Sequence, residues 1–186
     1  MMKIVYSFRI IYSVFRSAIL FVISMGHIRI SVGQMISPRA RFQVEHGGRI
    51  NVSKGCVIEE YTKIHADGGK IEIKNTFLNR NCNIVSMGCI SICDATIAPN
   101  VCIYDHNHAI NYSGKLTTEK PFEIGSVEIC EGAWVGANAT VLKDVIIGKH
   151  SVIGAGSVVV KNVKKNSIVG GVPARLIRYS EGEDNE

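Results

Sequence analysis

An aliphatic residue recurs at every sixth position through the second half of this chain: Ile129, Val135, Val141, Ile147, Ile153, Val159. Four residues after each of the first five stands a small or modest side chain: Ala133, Ala139, Val145, Ser151, Ser157. A period of six fits neither one face of a helix nor the alternation of a lone strand. It is the period of a β-solenoid, in which short strands and turns wind around an axis filled by one aliphatic knob per step.

Three upstream segments continue the pattern. Gly48-Arg-Ile50-Asn-Val52 leads to Ile58 and Ile64; Gly69-Lys-Ile71-Glu-Ile73 leads to Leu78 and Ile84; Gly88-Cys-Ile90-Ser-Ile92 leads to Ile97 and Ile103. Three steps per unit predict a triangular cross-section with three parallel sheets. Ile73 to Leu78 and Ile92 to Ile97 are five-residue steps, so one turn is trimmed in each of those coils. Stacked coils satisfy one another's backbone groups, and the two ends need caps.

The 186 residues suit a single domain. We expect residues 46–178 to form the solenoid and residues 179–186 an acidic, disordered tail. With the tail's four carboxylates set aside, the rest of the chain carries a net +9. Such a surface attracts anionic partners; no nucleic-acid motif is present, which leaves an anionic membrane or a phosphorylated cofactor. Six cysteines are present, yet Cys56 and Cys82 occupy the small-residue slot, and Cys93 and Cys130 directly follow core aliphatics. No C-x-x-C spacing marks a metal site, so reduced structural thiols in a cytoplasmic protein are expected, with no metal.

Residues 1–45 follow no six-residue step that we can use. Ile4, Phe8, Ile11, Phe15, Ile19 and Val22 fall at helical spacing and predict an amphipathic helix. The apolar stretch from Ala18 to Met25 is too short to cross a bilayer. Two readings stand: a helix packed on the solenoid end or on a subunit partner, favoured here, and a peripheral contact of residues 1–25 with the inner membrane face.

The ladder breaks once, over 105–123, where a loop containing Gly114 and Pro121 leaves the solenoid; it opens on Tyr104-Asp105-His106-Asn107-His108. Breaks in a repeat tend to hold binding elements, and histidine is suited to acid–base work near neutrality. The segment Ile97-Ala-Pro-Asn-Val-Cys-Ile-Tyr-Asp-His-Asn-His108 resembles the stretch before the catalytic histidine of galactoside and maltose O-acetyltransferases, which are hexapeptide-repeat acyltransferases. That resemblance implies a left-handed parallel β-helix, an all-β fold working as a homotrimer. The period alone gives no hand, and the general crossover rule favours the other one.

The resemblance also implies roles. His108 takes the acceptor hydroxyl's proton so that the oxygen attacks the thioester of acetyl-CoA directly. Asp105 either orients that imidazole or is a turn residue, and His106 and Asn81 would face the acceptor. Asn79 matches a position that contacts the acetyl donor, with a plain turn asparagine as the alternative. Met87 stands where the galactoside enzymes carry an acceptor-binding aspartate, which argues against a simple galactoside. Trp134-Val-Gly-Ala137, Ile153-Gly-Ala155-Gly-Ser, Lys161 and Gly170-Gly-Val-Pro173-Ala-Arg175-Leu-Ile-Arg178 resemble the family's donor-site signature. By that match Trp134 borders the cleft, Ala137 and Ala155 offer backbone groups to the pantetheine arm, and Lys161, Arg175 and Arg178 face the CoA phosphates. The function implied is O-acetylation of a sugar hydroxyl in surface polysaccharide assembly. N-acetylation of a nucleotide-linked amino sugar and a non-catalytic scaffold are the alternatives.

Overall fold

The computed structural model describes residues 2–110 and 121–180, with side chains from Arg9 onward. A helix, α1 (Met2–Ile23), precedes the solenoid. The first coil is β1 (Ile28–Ile30), β2 (Met35–Ile36) and β3 (Arg41–Glu45). The second is β4 (Arg49–Val52), β5 (Val57–Ile58) and β6 (Lys63–Asp67), and the third β7 (Lys70–Lys74), β8 (Phe77–Leu78) and β9 (Asn83–Ser86). The fourth, β10 (Cys89–Cys93), β11 (Thr96–Ile97) and β12 (Cys102–Tyr104), is followed by a hairpin of β13 (His106–His108) and β14 (Phe122–Ile124). Two more coils follow, β15 (Ser126–Ile129), β16 (Trp134–Val135), β17 (Thr140–Val141) and β18 (Val145–Ile147), β19 (Val152–Ile153), β20 (Val158–Val159). The chain closes on β21 (Ser167–Gly171) and β22 (Ala174–Tyr179), an antiparallel pair.

Strands of equal position pair in parallel from coil to coil and build three flat faces. The register stacks like on like. Val52, Ile73, Ile92, Ile129 and Ile147 form one column. Ile58, Leu78, Ile97, Val135 and Ile153 form a second. Ile64, Ile84, Ile103, Val141 and Val159 form the third. All fifteen are buried, so the six-residue ladder of the sequence is the axis of the solenoid, and the trimmed steps keep their knobs in register.

The small-residue slots are buried as well, at Ala133, Ala139, Val145, Ser151 and Ser157. Cys56 and Cys82 fill the same slots, are unbridged, and are buried; burial pushes the Cys82 thiol up to about 11 and the Cys56 thiol in the same direction. Both are therefore protonated packing groups near neutrality.

The corners carry the left-handed backbone that sharp turns demand. Between the second and third faces the positive-φ residues are Tyr61, Asn81, Asn100, Asn138 and Gly156. Asparagine tolerates this region because its short side chain avoids the clash that other residues meet. These residues also make a backbone ladder along the corner: Asn81 N donates to Glu60 O, Asn100 N to Arg80 O, Asn138 N to Pro99 O and Gly156 N to Ala137 O, at 2.8–3.1 Å.

One expected boundary moves. The solenoid starts at Ile28, not at residue 46, and residues 28–45 are its first coil. That coil was hard to read because it is an end coil, with atypical side chains. Gln34 takes a small-residue slot, where its Oε1 accepts from Cys56 N at 2.6 Å, while Phe42 and Val44 serve as half-buried knobs. The helix expected at the N-terminus is present and covers this end through Ser13, whose Oγ accepts from Ile36 N at 3.0 Å. The tail residues 181–186 and loop residues 111–120 lie outside the described residues, as do the side chains of Ile4 and Phe8.

Candidate active site

The one long break in the ladder leaves the solenoid at the corner between the third and first faces. Its root is a two-stranded antiparallel hairpin in which His106 pairs with Ile124 and His108 with Phe122. Two residues apart on one strand, both imidazoles lie on the same side of the hairpin, and both meet the Phe122 ring. The His108 centroid lies 4.7 Å from it and that of His106 5.7 Å. His106 also stands edge-on to Tyr104 at 6.3 Å. His108 is exposed and His106 half buried.

Asp105 is fully buried at the hairpin root. Its carboxylate accepts from Ser86 Oγ at 2.6 Å, Met87 N at 2.8 Å and Gly88 N at 2.9 Å, all on the preceding coil. A buried carboxylate requires such a set of donors, and here they fasten the hairpin to the solenoid. The imidazole beside Asp105 is that of His106, with Nδ1 3.1 Å from Oδ1. The expectation that Asp105 would orient His108 thus meets a different geometry: Asp105 and His108 are three residues apart on an extended strand, and the neighbouring imidazole takes the contact.

Around this corner stand groups that the sequence reading passed over. Tyr104 lies on the outer surface of the third face, and its hydroxyl accepts from Asn83 Nδ2 at 2.8 Å. Burial, with help from Cys102, raises the pKa of that phenol and keeps it neutral. Ser86 and Phe122 complete the setting. Tyr104 lay within the recognised motif, but only the register of β9 against β12 brings Asn83 beside it.

The residues expected at the donor site group elsewhere. Asn79, Asn81, Ala137 and Ala155 all fall on the corner between the second and third faces. Asn79 Oδ1 accepts from Arg80 N at 2.8 Å and so closes its own turn; Asn81 is a link in the corner ladder. Ala137's carbonyl accepts from Gly156 N, and Ala155 is exposed. Trp134 opens β16 on the second face, half exposed. Lys161 and Arg175 do come together, lining with Lys164 and Tyr179 a pocket of about 410 Å³ at the C-terminal end. Arg178 pairs with Ile168 on the same hairpin, and its guanidinium donates to Tyr179 O at 3.3 Å. Within one chain, then, the histidines and the corner holding Ala137 and Ala155 occupy different edges of the prism, separated by the third face.

Residues 126–161 match the family described as bacterial transferase hexapeptide (six repeats). The chain is 34% identical over 122 residues to galactoside O-acetyltransferase of Escherichia coli (strain K12), covering 63% of this chain and 58% of that protein. It is 35% identical over 112 residues to WbbJ of the same organism, named for O-acetyl transfer in lipopolysaccharide biosynthesis, covering 56% and 57%. The chain thus spans less than two thirds of either relative. Among solved structures, a hexapeptide-repeat-containing acetyltransferase of Vibrio cholerae O1 biovar eltor, complexed with acetyl coenzyme A, is 25% identical with a TM-score of 0.56, over 81% of this chain and 72% of that one. AntD, an N-acyltransferase of Bacillus cereus solved with dTDP and 3-hydroxybutyryl-CoA, shares the fold at 20% identity and a TM-score of 0.69, over 80% of each chain. The six-residue ladder and the three-faced solenoid built on it are thus shared with hexapeptide-repeat transferases, whose family model the chain matches over residues 126–161.

Proposed function

We propose that the protein is an acetyl-CoA-dependent O-acetyltransferase that modifies a sugar hydroxyl in the assembly of a surface polysaccharide, and that it works as a homotrimer. The observation that carries the reading is the histidine hairpin: the solenoid is interrupted at one place, and a buried carboxylate fastens that interruption so that two imidazoles stand at the rim. A scaffold requires no such device.

His108, exposed at the rim, is the general base. Its imidazole accepts the proton of the acceptor hydroxyl as the oxygen attacks the acetyl carbonyl, the C–S bond breaks, and the CoA sulfur leaves with a proton returned from the imidazolium. The thioester's binding groups are Ala137, Ala155 and Trp134 along the solenoid, and Lys161 with Arg175 suits the phosphates because guanidinium and ammonium groups pair strongly with them. Asn79 and Asn81, tied into their turns, contribute shape and backbone. Because the donor corner and the histidine hairpin lie on different edges of one chain, the site is completed across a subunit interface, His108 coming from one subunit and Ala137 and Ala155 from its neighbour.

A specific contact favours a second assignment of the base. The Asp105–His106 pair fixes the proton on Nδ1 and leaves Nε2 as an acceptor, the arrangement that orients catalytic imidazoles elsewhere. Release of free CoA thiol, followed across a panel of sugar and amino-sugar acceptors, decides both questions. His108→Ala is expected to lower kcat by about 10²–10⁴-fold while His106→Ala retains part of the activity. The reverse order transfers the base to His106, and wild-type protein that neither turns over any acceptor nor binds CoA overturns the enzyme reading.

A further inference from the structure

The helix α1 is docked on the solenoid the wrong way round for a soluble cap. Arg9 and Arg16, its cations among the described side chains, point inward. Arg16 donates to the carbonyl of Ser37 at 2.8 Å and to that of Ala40, and lies over the Phe42 ring at 5.5 Å; Arg9 pairs with Glu59 at 3.1 Å. Ser13 is buried against Ile36. These contacts turn the apolar stripe outward: Ile11, Phe15, Ile19 and Val22 are 56%, 69%, 58% and 71% exposed, and Met25, just past the helix, is 87% exposed. Between residues 9 and 25 no other charged residue exists, so the outward face is uncharged over that stretch. The packing favoured on sequence grounds is real, but it is made by Arg9, Ser13 and Arg16 together with Leu20, and not by the Ile11–Phe15–Ile19–Val22 stripe.

Beside the C-terminal end of this face lies a pocket of about 300 Å³ lined by Met25, His27, Arg29, Arg49, Asn51 and Lys70. Arg29 and Arg49 are exposed, while Lys70 pairs with Glu72 at 2.8 Å. Six lysines and arginines and no acidic residue precede Glu45. An apolar stripe flanked by guanidinium groups is the pattern of a helix that lies in a bilayer interface with anionic headgroups at its rim. No helix among the described residues is long and apolar enough to cross a membrane, and the inward contacts hold α1 flat. A second copy is the poorer occupant, because it brings the same positive rim against this one.

We propose that the outer face of α1 and the Arg29–Arg49 pocket dock the protein on an anionic lipid bilayer surface. The docking is independent of the acetyl-transfer chemistry and is read without it. Purified full-length protein is sedimented with vesicles of phosphatidylglycerol and phosphatidylcholine, and with vesicles of phosphatidylcholine alone. We expect at least about 10-fold stronger binding to the anionic vesicles, weakened by raised salt. Phe15→Glu with Ile19→Glu should abolish binding, and Arg29→Glu with Arg49→Glu should erase the preference for anionic lipid, each leaving oligomer mass and thermal midpoint unchanged. Wild-type protein that sediments with neither vesicle overturns the proposal. So does a Phe15→Glu/Ile19→Glu protein that keeps vesicle binding, or one whose oligomer mass falls, since the stripe is then a contact between copies. CoA release with a soluble acceptor stays at the wild-type level in all variants, so a failure here leaves the enzymatic reading standing.

Discussion

Asp105 shows how much one buried side chain decides in a repeat protein. It accepts from a hydroxyl and two backbone amides of the coil below while touching His106 above. Asp105→Asn replaces one acceptor oxygen by a donor amide facing donors, and leaves buried N–H groups unmet. We expect a loss of about 2–4 kcal/mol in stability, measurable by thermal or urea unfolding, and a fall in turnover beyond what His106→Ala produces, because the hairpin root itself loosens. From the sequence Asp105 was readable as an orienter or a turn residue; that it anchors the hairpin was not. Its partners Ser86, Met87 and Gly88 lie nearly twenty residues earlier, and only the coil-to-coil register brings them together. The same distance effect hid the Asn83–Tyr104 contact.

The coil, as an element, was largely legible. Its knobs and small slots are local in sequence, and burial follows the six-residue ladder at every position predicted from Val52 to Val159. The ends were less so, since an end coil is released from the rule that each slot must match its neighbours on both sides. Glycines inside the stack tell the two situations apart. A Cβ on Gly88 would run into the Gly125 carbonyl and Ile124 Cγ2 at 2.8 Å, at the corner where the hairpin returns. A Cβ on Gly154 meets nothing nearer than the Val169 carbonyl at 3.3 Å. Gly88→Ala should therefore cost roughly 1–3 kcal/mol and disturb the hairpin, whereas Gly154→Ala should stay below about 1 kcal/mol. Paired urea melts of the two proteins check this contrast.

At the level of the whole molecule the candidate site is split. The histidine hairpin occupies one edge of the prism, and the corner carrying Asn79, Asn81, Ala137 and Ala155 occupies another. Sequence matching placed all of these in one list because it carries no information about edges. If a threefold assembly joins the edges, two inactive proteins can rescue each other. Co-refolding His108→Ala with a donor-corner variant such as Ala155→Trp at equal amounts should restore about a quarter of wild-type turnover, the fraction of interfaces that pair two intact edges at random. Zero recovery in mixed oligomers of confirmed mass would place both edges of each site on one subunit.

The strict parallel register has a consequence of its own. Coils repeat at about 4.8 Å, so the three steps from the first coil, under α1, to the fourth, from which the hairpin springs, set a fixed height of about 14 Å between them. The solenoid is thus a gauge: adding or removing one coil would raise or lower the histidines by a single rung without altering either the helix or the hairpin. How far an acceptor must stand from the helical end to be reached is written in the number of coils, and a lineage could retune that reach by duplicating some twenty residues.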